Sequence, residues 1–250
     1  MNLRFRQRFM NLWRGHFDNA ALPIAFYYTD STDGLAVTEP STLPHCVIKA
    51  LSLVQDGKPL SLDARSIGCG GGRRYLGFSN TVGRDFEYFL SYGIPGKLEG
   101  ERYKKSPELV RETIRHWPIF QAPATFAVFK RWDLLDESDN PEVVIFWATP
   151  DVLSGLFTLA NYDDSEPNVV IAPMGAGCAS IVLFPYLEVH SPHPRAVLGM
   201  FDVSARPHVP PNVLSFAIPM AKFTHMVNNM EESFLITRSW QKVRERIKSS

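Results

Sequence analysis

One stretch constrains the fold before any other: Ser66-Ile67-Gly68-Cys69-Gly70-Gly71-Gly72-Arg73-Arg74-Tyr75-Leu76-Gly77-Phe78. Four glycines surround one cysteine, and two arginines and an aromatic residue follow. Glycine runs cost backbone entropy on folding. They stand where a chain needs unusual dihedrals or a close approach to another group. A smaller version of the same theme occurs at Gly175-Ala176-Gly177-Cys178-Ala179-Ser180. Two Gly-Cys turns so far apart in sequence point to one composite site.

The 250 residues are 45% hydrophobic and 21% charged, an ordinary globular composition. A chain of this length buries roughly 70–75% of its unfolded surface, so neither disulfides nor a structural metal is needed for a core. A single domain is expected. Lys plus Arg and Asp plus Glu are equal at 26 each, which gives no global electrostatic case for nucleic acid. Basic residues do crowd the chain ends, at Arg4, Arg6, Arg8 and Arg14 and again at Lys242, Arg244, Arg246 and Lys248. They read as solvated helix faces. No apolar run is long enough to span a membrane, and the basic N-terminus has no apolar signal core. Three cysteines, an odd and small number, fit a reducing compartment rather than a secreted disulfide framework. A cytoplasmic protein is expected.

Spacing of apolar residues predicts an amphipathic helix over Asn2–Asp18, a strand over Ala20–Tyr28 and a loop over Thr29–Pro44. A buried helix follows at Cys46–Val54, then a short extended piece at Leu60–Asp63. A helix is expected to open at Arg73, directly behind the glycine loop. Ser106-Pro107 starts another, with serine at the N-cap and proline in the first turn. Strands are read at Ala124–Phe129, Val143–Trp147, Val169–Ala172, Ala196–Phe201 and Val213–Ile218. Helices are read at Val152–Ala160, Lys222–Glu232 and Ser239–Lys248, and Cys178–Leu187 is either a helix or a buried strand. The C-terminal half thus alternates strand and helix. The expected fold is one α/β or α+β domain, a mixed sheet with flanking helices.

The glycine loop matches neither of two familiar phosphate-binding patterns. No Gly-Lys-Ser/Thr follows it, and Arg73 stands where a dinucleotide fingerprint needs its third glycine. Its backbone N–H groups, with Arg73 or Arg74, can still cradle an anion. The cysteines lack the two-residue spacing of zinc ribbons and ferredoxins, and three separate cysteines are commonly plain buried side chains. Their context argues for more. Cys69 and Cys178 each follow a glycine in a turn, and Cys46 opens a helix after Pro44-His45. Helix starts and nearby cations favour thiolates. Three gathered thiolates bind an iron–sulfur cluster with one iron left open, or a soft metal.

Other groups weigh less. His190 and His193 have metal-like spacing, but Pro192 and Pro194 put them in a loop. His45 adjoins Cys46, yet adjacent helical residues do not face each other. His208 follows Arg206-Pro207 in a polar segment. No Gly-x-Ser-x-Gly elbow is present, so a hydrolase reading has no anchor.

Read in order, the blocks Ile67–Phe78, Phe146-Trp147-Ala148-Thr149-Pro150-Asp151, Ala172–Cys178, Gly199–Arg206 and Leu214–Pro219 make the chain resemble the ArCR family, a family of unknown function from bacteria and archaea. The resemblance covers a core over residues 19–240, with residues 1–18 as an added helix. It implies a soluble protein with a shared site and no assigned reaction.

Three functional expectations stand, the third a purely structural or scaffold role in which all three Cys→Ser variants fold and behave normally. In the first, Cys46, Cys69 and Cys178 ligate an iron–sulfur cluster. Gly68, Gly70, Gly71 and Gly177 let backbone approach it, and Arg73 and Arg206 hold an anion at the open iron. A small-molecule ligand or a redox partner follows from this reading, and neither nucleic acid nor membrane does. In the second, a metal-free binding module or enzyme holds a small anionic ligand on the Gly-rich loop and its arginines.

Overall fold

The computed structural model describes residues 1–31 and 45–249. Seven strands form one sheet: β1 (Ile24–Thr29), β2 (Leu60–Leu62), β3 (Phe126–Arg131), β4 (Val143–Ala148), β5 (Val170–Ile171), β6 (Ala196–Gly199) and β7 (Leu214–Pro219). Their spatial order is β2-β3-β1-β4-β7-β6-β5. Every pairing is antiparallel except β5 with β6. The sheet is therefore mixed and mostly antiparallel, in an α/β arrangement.

The alternation of side chains along the strands explains the layers around it. Ile24, Phe26, Val143, Ile145 and Ala217 join the core on one face, and Ala25, Val144, Phe146, Phe216 and Ile218 join the core on the other. All ten are at most 1% exposed, so both faces must be covered. Helices α1 (Leu3–Phe17), α6 (Pro150–Ala160), α8 (Met220–Asn229) and α9 (Arg238–Ser249) cover one face. Helices α2 (Val47–Gln55) and α3 (Gly70–Tyr75), with a π-helical turn at Ala179–Leu183 that runs into α7 (Phe184–Val189), cover the other. Two further helices, α4 (Phe86–Phe89) and α5 (Pro107–His116), lie in the long connection from α3 to β3.

Local signals place several of these ends. The Asn2 side chain accepts hydrogen bonds from the Arg4 and Phe5 N–H groups and caps α1. Ser106 Oγ accepts from the Leu109 N–H, with Pro107 in the first turn of α5. Thr149 and Pro150 open α6. Most expected elements occur, displaced by a few residues. The segment expected to be helix or strand from Cys178 is helical. The expected loop at 29–44 falls largely outside the described residues. α4 was not foreseen, because four residues are too few for a periodic signal.

One displacement matters for the site. The helix expected to open at Arg73 starts at Gly70, with Cys69 extended at its N-cap. The glycine triplet is therefore the first turn of α3 and not a loop before it.

The chain ends meet on the far face. Trp13 stacks on Phe17 at 4.1 Å between ring centres, and Phe17 meets Trp240 edge-on at 5.1 Å. Trp240 Nε1 donates to the His16 carbonyl at 2.9 Å. The terminal arginines are not simply solvated: Arg244 pairs with Asp18, Arg246 with Asp151 and Arg8 with Glu231. Among the described residues no helix is long and apolar enough to cross a membrane.

Gly155 of α6 sits where this aromatic cluster is tightest. A Cβ there would stand 2.8 Å from Phe17 Cε1 and 2.9 Å from Trp240 Cζ3. Alanine normally favours a helix over glycine by about 1 kcal/mol. Here overpacking outweighs that gain, and Gly155→Ala is expected to lose about 1–3 kcal/mol in urea denaturation.

Candidate functional site

The three cysteines stand at or near helix starts on the same side of the sheet. Cys46 is the N-cap of α2, Cys69 the N-cap of α3, and Cys178 directly precedes the π-helical turn. None of their side chains caps its own helix by a hydrogen bond. All three thiols are free and line one cavity of about 790 Å³.

Two glycines bring their segments together. A Cβ on Gly72 would lie 2.9 Å from Val47 Cγ2 and 3.0 Å from Ile67 Cγ2. A Cβ on Gly177 would lie 3.1 Å from both Ile48 Cγ1 and Ala205 Cβ. Val47 and Ile48 immediately follow Cys46, so the Cys69 and Cys178 turns both pack directly against the start of α2. Any side chain at Gly72 or Gly177 must push these segments apart. Gly68 approaches His45, whose Nδ1 would be 2.8 Å from a Cβ there, whereas Gly70 faces open space.

The second Gly-Cys turn is pinned from behind. Asp202 Oδ2 accepts the Gly177 N–H at 3.0 Å, and Ser180 Oγ donates to the Gly177 carbonyl at 2.8 Å. The same Ser180 oxygen accepts the Met200 N–H at 3.3 Å. Met200 is fully buried and has φ of +70°, a left-handed conformation that costs a non-glycine residue of order 1–3 kcal/mol. This turn ends β6 two residues before the expected boundary and swings Phe201 and Asp202 to the cavity. π-helical turns are rare and gather at functional sites. A strained residue and a π-turn thus flank the same cysteine.

The sequence-selected arginines separate. Arg206 does not line the cavity: its Nη1 donates to the Val213 carbonyl at 2.6 Å and its Nη2 to the Pro211 carbonyl at 2.7 Å, holding the 206–213 turn closed. Arg73 is exposed on the cavity rim, and Arg74 is buried in the cavity wall. Helix phase decides this, and a helix starting at Gly70 turns residue 74 inward. Sequence reasoning had no access to the wall contributed by the long connection, where Phe86, Phe89, Tyr103, Lys104 and Trp117 stand. Their composition carries no motif. A second, more open cleft of about 620 Å³ beside Asp30 and Ala122–Thr125 holds no cysteine.

Burial pushes the Cys178 thiol well above its usual range, and Cys46, Cys69 and Asp202 push it further. Burial also keeps the Tyr75 hydroxyl protonated, with nearby Cys178, Asp202 and Cys69 adding to the effect. Among the described residues, no group of three His, Cys, Asp or Glu side chains is arranged to hold a single metal ion.

The family profile for uncharacterised ArCR proteins, DUF169, matches residues 18–229. The chain belongs to this family. The matched region holds all three cysteines and the whole cavity wall, and leaves all of α1 and α9 outside. No curated protein and no solved structure matches the chain. The matched region thus spans the whole sheet with its cysteine face, and the two terminal helices lie outside it on the far side.

A raised thiol pKa has two consequences in the metal-free ArCR protein. The thiolate is the nucleophile, so iodoacetamide is expected to modify the half-buried Cys46 and Cys69 first and Cys178 last, as timed mass spectrometry would read. Because folding holds the Cys178 proton more tightly than the unfolded chain does, stability is full below the ordinary thiol range and falls as pH rises above it.

Proposed function

We propose that this ArCR protein carries an iron–sulfur cluster on the wall of the 790 Å³ cavity, ligated by Cys46, Cys69 and Cys178. The observation that carries this is the convergence of three thiols from three separate segments on one cavity, drawn together by close approach at Gly72 and Gly177. A plain packing role for the cysteines does not require them to share a cavity wall.

Electrostatics supports the same reading. Cys46 and Cys69 each disfavour a thiolate at Cys178, and so does burial. A cationic metal core reverses that preference, because it binds the deprotonated sulfur and releases the proton. A single soft ion needs its ligands gathered at one point, and no described group offers that. A cluster distributes its ligands over several irons and tolerates a wider spread. Three protein thiolates leave one iron of a four-iron core without a protein ligand. When bound, the group supplies one-electron chemistry or a Lewis-acidic iron for a ligand in the cavity.

The chain's own residues have definite roles in this reading. Gly72 and Gly177 set the spacing of the ligand segments. Asp202 and Ser180 hold the Cys178 turn in place. Arg73, Arg74 and Lys104 offset the negative charge of a thiolate-ligated core. Free thiols suit the reducing cytoplasm, which is where we place the protein. A small-molecule ligand and a redox partner follow from an open iron. The metal-free alternative has one observation in its favour, an unpaired arginine edge in the same cavity, taken up below.

Anaerobic purification tests the proposal. The expected protein is brown, with iron and acid-labile sulfide in cluster ratio, and Cys46→Ser, Cys69→Ser and Cys178→Ser each lose the colour while keeping the wild-type circular dichroism. A protein that stays colourless after reconstitution with iron and sulfide overturns it.

A further inference from the structure

Arg74 is only 7% exposed, and it lines the cavity. Its Nη1 donates to the Asn80 carbonyl at 2.7 Å. Its Nη2 is buried and has no hydrogen-bond partner. Among the described residues no carboxylate forms an ion pair with Arg74. A guanidinium is always charged, and leaving one edge dry and unpaired is costly. The fold supplies a partner for one side of this group and none for the other.

The surroundings narrow what that partner is. Arg73, Arg74 and Lys104 line the cavity against one carboxylate, Asp202. Asp202 is already engaged by the Gly177 N–H, the Ser204 N–H and the Ser204 hydroxyl. The cavity is therefore electropositive and short of acceptors. Much of its wall is aromatic, with Tyr75, Phe86, Trp117 and Phe201 among the lining residues. At its mouth Met174, Phe201 and Val203 are 60, 56 and 68% exposed, an apolar rim in contact with water. A volume of about 790 Å³ lies within the range for small-molecule sites.

We infer that the cavity binds a small aromatic carboxylate, with its oxyanion drawn to the under-partnered Arg74 guanidinium in the wall and its ring against the aromatic side chains. A single free guanidinium nitrogen suits a monoanionic carboxylate oxygen. The inference rests on the cavity being the functional site and does not depend on the cluster.

Calorimetric titration of the full chain with 2-naphthoate, and with its neutral isostere 2-naphthamide, tests it. The wild-type protein is expected to bind naphthoate at least roughly tenfold more tightly than the amide. Arg74→Gln removes that preference, and Arg74→Lys restores part of it. Equal affinity for the two compounds overturns the inference, as does absence of binding or a folded Arg74→Gln variant that keeps the preference. Should Arg74→Gln fail to fold, the acid-against-amide comparison on the wild-type protein decides alone. Colourless protein that prefers naphthoate overturns the cluster and supports this site. Cluster-bearing protein without the preference does the reverse.

Discussion

Strands β1, β4 and β7 carry apolar side chains on both faces, and a sheet of that kind is stable only between two layers of helices. Burying one large side chain of the size of Phe146 or Phe216 stabilises by about 1.5–3 kcal/mol, and the central strands place such residues on both sides. The two layers that result differ in purpose. On one face α1, α6, α8 and α9 pack a dense aromatic cluster that ties the two chain ends together through Trp13, Phe17 and Trp240. On the other, α2 and α3 are short and begin at cysteines, Cys178 leads into the π-helical turn before α7, and a cavity is left between these segments and the long connection. The rigid face supports the one that is open.

The cavity concentrates features that a structure built for stability alone avoids. Met200 is held at positive φ, Arg74 is buried with a free edge, and three thiols share one wall. The first two each carry a cost of order 1 kcal/mol or more. Glycines at positions 72 and 177 make the arrangement sterically possible, since a single methyl at either one would press on the start of α2. Departures from good packing that gather at one place mark a site, and here they gather around Cys178.

Much of this was legible in the chain. The alternation of strand and helix in the C-terminal half, the caps at Asn2 and Ser106, and the continuous apolar run of β4 all announce themselves locally, because propensity and capping act over a few residues. The pairing of the two Gly-Cys turns was legible too, since glycine next to a reactive side chain has few other uses. What went astray turned on phase. Of the two arginines offered to an anion, Arg73 stands on the cavity rim and Arg74 in its wall, because the helix starts at Gly70 and not at Arg73. Arg206, expected to hold an anion, instead holds its own turn closed through backbone carbonyls. The aromatic wall from Phe86 to Trp117 was invisible because no spacing rule links those residues to the cysteines.

By itself the sequence determined the fold class, the family and the position of the glycine–cysteine turns, since each is written in short-range pattern or in the order of motifs. Only the tertiary structure decided that the three cysteines line one cavity wall, that Arg74 and not Arg206 faces the cavity, and that the cavity is lined with aromatic side chains. Those facts depend on contacts between segments tens to more than a hundred residues apart, and such contacts are set by packing against a common sheet. A one-residue change in helix register turns a side chain by about 100° and so reverses which arginine is buried.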